Sequence, residues 1–358
     1  MKKICIIDST YPINTRTNKI LNSLRTAFGE ENLFVIAWNR DGRNSPEMEK
    51  NFYIYKRNSA YGNKLKKLCN LFAFKKYISD IYEKEDFDFI IASHWETLLI
   101  TSEIKHSHTK LIYENLDIPT STNKIILKLL QIVEKKALRK TDAICFASRF
   151  FVPLYNFYLN EKILLENKPD KEIMITTVKE QNAFNVVFLG VIRYFDILKN
   201  LIDAVKECPE ISLTIWGDGP DYNKTYDYAK NISNIFIKGR YDNSQLSDIY
   251  ASADLVWAVY PNKDYNVKYA ISNKFHESID TGKPCIYANK TELGNYVLSN
   301  KIGYVVDPYS VEDIKASLRK IKRNPNLNNE IIENLSLFKK KRITWNEEVK
   351  NLINYISK

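Results

Sequence analysis

Short apolar runs rich in β-branched and aromatic residues recur along the chain and alternate with longer stretches whose apolar positions follow helical spacing. In the first half, runs at 3–8, 33–38, 52–56, 87–93, 110–114 and 143–147 predict strands, with helices between them near 16–28, 61–84, 95–105 and 123–140. The rhythm pauses through Leu164-Leu165-Glu166-Asn167-Lys168-Pro169-Asp170, where the proline and polar residues predict a linker. It restarts with strands at 185–189, 212–216, 234–238, 254–260, 284–288 and 303–306, and helices near 197–207, 221–231, 244–251, 273–281 and 311–322. Thr344-Trp345-Asn346-Glu347 has the spacing of a capping box and opens a last helix to about 357. Strand–helix alternation of this kind predicts an α/β protein of two Rossmann-like parallel-sheet domains. The expected boundaries are 1–170, 171–342 and a terminal helix over 343–358 that returns to the N-terminal domain.

Composition narrows this picture only a little. The 358 residues are 44% hydrophobic and 27% charged, ordinary values for a globular chain long enough for two cores. No apolar run reaches the ~18–20 residues that span a bilayer, and the first residues read as a strand rather than a signal peptide. Five scattered cysteines without CxxC spacing predict buried thiols in a reducing cytoplasm rather than disulfides or a zinc site. The net charge is +10, and its excess lies in residues 1–170, with 27 Lys+Arg against 20 Asp+Glu. Such a balance favours phosphorylated ligands or anionic lipid. No nucleic-acid-binding signature accompanies it, so nucleic acid is not an expected partner.

The densest chemistry lies at Ser272-Asn273-Lys274-Phe275-His276-Glu277-Ser278-Ile279-Asp280-Thr281-Gly282-Lys283-Pro284. Ser272 or Asn273 can cap a helix, and Gly282 with Pro284 ends it. The first amides of that helix attract a phosphate. Glu277, one turn after Asn273 and about 6 Å along the axis, can meet a ribose diol. Upstream, Gly190 ends a strand, and Arg193 and Lys199 follow it. They read either as a diphosphate-binding set or as a turn glycine with two solvated cations. Gly217-Asp218-Gly219-Pro220 follows a second strand and fits a tight turn without matching a dinucleotide or Walker loop. Gly239-Arg240-Tyr241 follows a third, where Tyr241 either holds a base or packs at the surface.

Taken in order, Gly190…Arg193…Lys199, Gly217-Asp218-Gly219-Pro220, Gly239-Arg240-Tyr241, Ala253-Asp254-Leu255 and Ser272-Asn273-Lys274…Glu277…Gly282-Lys283-Pro284 resemble the nucleotide-sugar half of group 1 (family 4) glycosyltransferases. The resemblance is clearest over about 184–308 and diffuse before it. It implies a GT-B fold, with two such domains facing a cleft, acceptor-binding first and donor-binding second. It also implies transfer of a sugar from a nucleotide-diphosphate donor to a saccharide or polyprenyl-diphosphate-linked acceptor in bacterial surface-polysaccharide synthesis. In that scheme Glu277 binds the donor ribose, Arg193 and Lys199 meet the diphosphate, and amides near 272–274 complete the cradle. Gly190, Gly217, Gly219, Arg240 and Tyr241 line the donor. The nucleotide sugar is a substrate, and neither cofactor nor metal is required. Many members carry a Glu eight residues before the ribose-binding Glu; here Tyr269 stands there, which removes a carboxylate contact to the donor sugar and loosens the expectation of retention. Two rival readings keep the site but change its use: a nucleotide-sugar 2-epimerase, and a non-catalytic donor-binding partner of another transferase.

In the N-terminal half, His94 after one strand and Asp117 after the next are candidates to orient or deprotonate an acceptor hydroxyl. A hydrogen-bonded histidine and a capping carboxylate are the alternatives. His106-x-His108 reads as a solvated pair, and His276 as packing. Two lysine-rich amphipathic stretches, 64–76 and 124–136, fit either a peripheral face on the inner leaflet of the plasma membrane or core-facing helices with a basic outer side.

Overall fold

The computed structural model describes residues 2–40, 42, 50–58, 64–175 and 183–358, with residues 64–69 described by their helix backbone. Two compact units emerge, one made of residues 1–167 with 345–358 and the other of 168–344.

The first unit is built on strands β1 (Ile4–Asp8), β2 (Leu33–Asn39), β3 (Phe52–Lys56), β4 (Phe89–Ser93), β5 (Lys110–Asn115), β6 (Ala143–Phe146) and β7 (Glu161–Leu164). They form a parallel sheet in the order β3-β2-β1-β4-β5-β6-β7. Helices α1 (Thr15–Phe28), α2 (Lys64–Glu85), α3 (Trp95–Ile104) and α4 (Lys124–Leu138) connect them. β1 and β4 pair in register, Asp8 beside Ser93, so the strand order reverses at their carboxyl ends. That reversal is where open α/β sheets place ligands.

The second unit repeats the plan with β8 (Phe184–Leu189), β9 (Ile211–Trp216), β10 (Ile235–Gly239), β11 (Leu255–Ala258), β12 (Cys285–Ala288) and β13 (Tyr304–Val306), in the order β10-β9-β8-β11-β12-β13. Its helices are α5 (Phe195–Lys206), α6 (Tyr222–Ala229), α7 (Leu246–Ala251), α8 (Tyr265–Tyr269), α9 (Asn273–Thr281), α10 (Glu292–Ser299), α11 (Val311–Arg323) and α12 (Pro325–Lys340). Val186, Leu213, Ile215 and Trp257 from the strands pack with Leu201 and Val205 of α5 and Ile314 and Leu318 of α11 in one buried cluster.

Two short helices, α13 (Trp345–Glu348) and α14 (Lys350–Ser357), complete the first unit rather than the second. Trp345, Val349, Leu352 and Ile356 join the core of Ile4, Ile6, Val35 and Ile112. The Trp345 indole N–H donates to Ser23 Oγ at 3.0 Å.

The pause at 164–170 is not a solvated linker throughout. β7 adds an edge strand there, and Leu165 and Glu166 are fully buried behind it. The Glu166 carboxylate accepts from Arg149 Nε at 2.8 Å and Nη2 at 2.6 Å, and its amide donates to Glu348 Oε2 at 2.7 Å. A buried, paired carboxylate looks polar in sequence and internal in structure. The helices α8, α10 and α12 also lie beyond the elements read from periodicity.

Candidate functional site

The N-terminus of α9 organises the richest site in the second unit. Ser272 caps the helix through its Oγ, which accepts from the Lys274 amide at 3.3 Å, and its carbonyl accepts from the Phe275 amide at 2.9 Å. Gly282 closes the other end in a left-handed conformation at φ 67°. Below, the Arg342 guanidinium pairs with the buried Asp280 carboxylate, and Lys339 Nζ donates to the Asp280 carbonyl at 2.6 Å, tying α9 to α12. The helix is therefore held at both ends and from beneath.

Ser272 thus engages the amides of Lys274 and Phe275. The side chain of Lys274 also lies at this helix start. Its ammonium lies over the loop after β8, where a methyl group added to Gly190 would meet Nζ at 3.1 Å. Burial pulls the lysine pKa down, but the surrounding acidic groups of Tyr260, Glu277 and Tyr241 outweigh it and hold the pKa above its usual value. The site keeps a buried, fully charged cation.

Glu277 projects one turn further along, half-buried, and its Oε2 accepts from the hydroxyl of fully buried Tyr250 on α7. That bond fixes the carboxylate's direction and leaves Oε1 for another donor. Tyr241 shares the field of Lys274 and Glu277, its pKa raised chiefly by burial. Gly190, Gly217 and Gly239 lie at the carboxyl ends of three neighbouring strands. Gly190 N donates to the Trp216 carbonyl at 3.0 Å, Gly217 N to the Gly239 carbonyl at 2.7 Å, and Ile192 N to the Asp218 carbonyl at 2.9 Å. At Gly217, φ is 140° and an added Cβ would fall 1.8 Å from the Gly190 carbonyl oxygen. Only a glycine lets these loops meet.

The remaining candidates in this unit lie less centrally. Arg193 is exposed, its guanidinium 5.0 Å from the Tyr194 ring centroid. Lys199 sits in α5 and pairs with Asp203 at 2.5 Å, over the Tyr228 ring at 5.1 Å. Its ammonium is engaged along its own helix. Gly219 turns the loop, its amide donating to Asp218 Oδ1 at 2.7 Å; Arg240 and Asn273 are exposed. Tyr269 ends α8, ring to ring with Tyr265 at 5.4 Å.

In the first unit a polar cluster occupies the carboxyl ends of β1, β4 and β5. Asp8 is buried and accepts from Thr10 N at 2.9 Å, Thr10 Oγ1 at 2.8 Å and Asn14 Nδ2 at 3.1 Å. His94, at φ 75°, caps α3 without a side-chain bond and turns Nε2 to within 3.7 Å of Asp8 Oδ1. Beside them, buried Glu114 accepts from Thr17 Oγ1 at 3.1 Å and from Ser93 Oγ, and pairs with Arg16 Nε at 3.2 Å. Burial raises the Glu114 pKa, opposed by Arg16 and the Ser93 bond. Asp117 lies beyond β5 and is exposed. Sequence alone marks His94, and marks Glu114 within Tyr113-Glu114-Asn115-Leu116-Asp117, which looks like a family element, but not Asp8, Arg16 or Tyr250. Asp8 ends an otherwise apolar strand, and Arg16 and Tyr250 pair across long stretches of chain, so no local pattern marks these three.

Two further features stand apart. On α4 one apolar stripe does not face the core: Ile125, Leu129 and Ile132 are 74%, 56% and 56% exposed, while Glu134, Ala137 and Leu138 near its end are buried. Buried Glu134 accepts from Tyr155 at 2.8 Å and Tyr113 at 3.2 Å, and burial pushes its pKa up to about 7. On α2, Phe74, Ile78 and Ile81 are core residues; the side chains of Lys64, Leu65, Lys66, Lys67 and Leu68 lie outside the described residues. His106 and His108 are not merely solvated, for both pair with Asp86. Among the described residues, no helix is long and apolar enough to cross a membrane.

Comparison with known proteins gives these features a family. Residues 170–336 match the sequence family described as glycosyl transferases group 1. No curated protein matches the chain in sequence. Among solved structures, sucrose-phosphate synthase from Thermosynechococcus elongatus superposes with a TM-score of 0.77 at 12% identity, over 100% of this chain and 98% of that one. HepE of Anabaena, in complex with UDP and glucose, superposes at 0.72 and 14%, over 100% of both chains. WaaG, a glycosyltransferase involved in lipopolysaccharide biosynthesis, superposes at 0.71 and 14%, over 99% of both. At such identities the likeness to solved structures is one of fold, and the family assignment comes from the sequence match. Residues 170–336 thus match group 1 of the glycosyl transferases, and the chain over its whole length has the GT-B fold.

Proposed function

We propose that the second unit binds a nucleoside-diphosphate sugar and that the protein transfers its sugar to a saccharide hydroxyl. The observation that carries this reading is the charged Lys274 over Gly190, one turn from a Glu277 carboxylate aimed by Tyr250. A cation and a carboxylate on one helix face suit a diphosphate and a ribose diol. HepE, of the same fold, has been solved with UDP, with UDP and glucose, and with UDP-glucose, which supports the donor class.

In this scheme the bond between the anomeric carbon and the donor phosphate oxygen breaks, and the acceptor oxygen bonds to that carbon. The acceptor proton leaves to His94, with Asp8 stabilising the imidazolium, or to the departing phosphate. Lys274 and the exposed Arg193 stabilise the diphosphate as its charge develops; Lys199 joins them only by leaving Asp203. We take the transfer to be metal-independent and, following the family resemblance, retaining. Asp117 serves to position the acceptor.

Calorimetry tests the donor site first. Glu277→Ala is expected to weaken UDP binding by roughly 1.5–3 kcal/mol, the loss of a charge-assisted hydrogen bond. An unchanged affinity removes Glu277 from the site. Incubation with nucleotide sugar alone separates the epimerase reading, since epimerised product without acceptor would replace transfer as the main activity.

We also propose that α4 rests on an anionic membrane surface, as suits a lipid-linked acceptor in surface-polysaccharide assembly at the inner leaflet. The exposed Ile125, Leu129 and Ile132 stripe is flanked by Lys124, Lys128, Lys135 and Lys136, all exposed. Apolar insertion and lysine–headgroup attraction reinforce each other in such helices. The involvement of WaaG in lipopolysaccharide biosynthesis fits this setting. The triple change Ile125→Ser, Leu129→Ser, Ile132→Ser is expected to cut co-sedimentation with phosphatidylglycerol vesicles at least tenfold while sparing UDP affinity. Equal sedimentation of variant and parent would reject the face.

A further inference from the structure

We infer that the first unit carries a binding site for a borderline divalent transition ion such as zinc, formed by Asp86, His106 and His108. Two loops make it. Asp86 follows the last residue of α2 at φ 50°, its amide donating to the Tyr82 carbonyl at 3.0 Å. His106 and His108 lie in the loop between α3 and β5. Both loops enter strands at their amino ends, the opposite end of the sheet from Asp8, His94 and Glu114, so the site is separate from the proposed acceptor chemistry.

The side-chain atoms converge as such an ion requires. Asp86 Oδ1 lies 2.9 Å from His108 Nε2 and 3.6 Å from His106 Nδ1. The three ligand atoms all fall within 4.8 Å of one another. Tetrahedral ligands about 2.0–2.1 Å from zinc stand roughly 3.3 Å apart, between the two shorter separations. Small rotations of exposed side chains complete the geometry. The other nitrogen of His106, Nε2, lies 3.4 Å from Glu83 Oε1. A carboxylate on the far nitrogen fixes the tautomer that leaves Nδ1 free to ligate.

The backbone beneath is already held. The His106 amide donates to the hydroxyl of buried Tyr82 at 2.9 Å, and that hydroxyl also meets Thr109 Oγ1. Thr109 Oγ1 in turn donates to the Phe87 carbonyl at 2.8 Å. The His106 ring packs on Tyr82 at 4.5 Å between centroids. Two imidazoles and one carboxylate suit zinc, nickel, cobalt or copper rather than calcium or magnesium, which prefer oxygen. Three protein ligands leave a position for water, and the bound ion would staple the end of α2 to the loop before β5.

Titration of tag-free protein with zinc chloride at pH 7.5, and with cobalt(II) followed by visible absorption, tests the site. One saturating equivalent is expected, with a rise in the thermal midpoint. His108→Ala should lower affinity at least tenfold and Glu83→Gln about tenfold, each with an unchanged circular dichroism spectrum. Absence of saturable binding at millimolar metal overturns the proposal. So does equal affinity and stoichiometry in the His106→Ala, His108→Ala double variant, which would place the ion elsewhere.

Discussion

Replacing Arg16 with methionine is expected to destabilise the first unit by about 3–5 kcal/mol, the usual loss when one member of a buried ion pair is removed. Arg16 and Glu114 are both buried, and Arg16 also donates to the Leu165 carbonyl. Methionine fills most of the volume but leaves the Glu114 carboxylate without its cation. The sign of the pH dependence follows. Glu114 already has a raised pKa in the folded protein, and losing Arg16 raises it further. A carboxyl raised above its unfolded value loses folded-state stability as pH rises from that value through the folded one. Urea denaturation should therefore show a larger deficit at pH 8 than at pH 5, and Arg16→Met with Glu114→Leu should recover much of it. A deficit below about 1 kcal/mol at pH 8 would mean that the pair is not dry.

Gly217→Ala is the second large effect. The backbone at φ 140° alone strains an L-residue by about 1–3 kcal/mol. The Gly190 carbonyl, 1.8 Å from the added carbon, forces the loops apart as well. A total loss of at least about 3 kcal/mol is expected, with UDP affinity falling because Gly190 lies under Lys274. Gly282→Ala supplies the comparison, since its φ is 67° but nothing lies within 4 Å of the new methyl; that change should cost only about 1 kcal/mol. Similar losses in the two variants by denaturation would show that the contact between the β8 and β9 loops is not tight.

Much of the fold was legible because its signals are local. The run from Ser272 to Gly282 names its own cap and stop within eleven positions of sequence, and α9 spans Asn273–Thr281. Apolar strands buried on both faces announce themselves by composition alone, as Ile4–Asp8 and Leu33–Asn39 do. The four-residue β7 does not, because Glu161 and Lys162 break its apolar pattern. At the site, the helix face carrying Glu277 was visible, but the group that aims it was not: Tyr250 lies 27 residues away and meets it only through the fold. Lys274 was read for its amide; that its ammonium lies against Gly190 emerges only from the fold. His106 and His108 suggested no ligand set until the turn after α2 brought Asp86 to them. Periodicity finds elements; residues that meet through topology need the coordinates.

The returning segment has a consequence for biosynthesis. Trp345, Leu352 and Ile356 fill the core of a unit whose other residues end at Asn167. A ribosome therefore emits the whole second unit before the first can close. Vectorial synthesis usually lets an N-terminal domain finish early; here the nascent first unit must wait with an apolar cleft open beside α1. Chaperone demand during that interval is set by those few late residues.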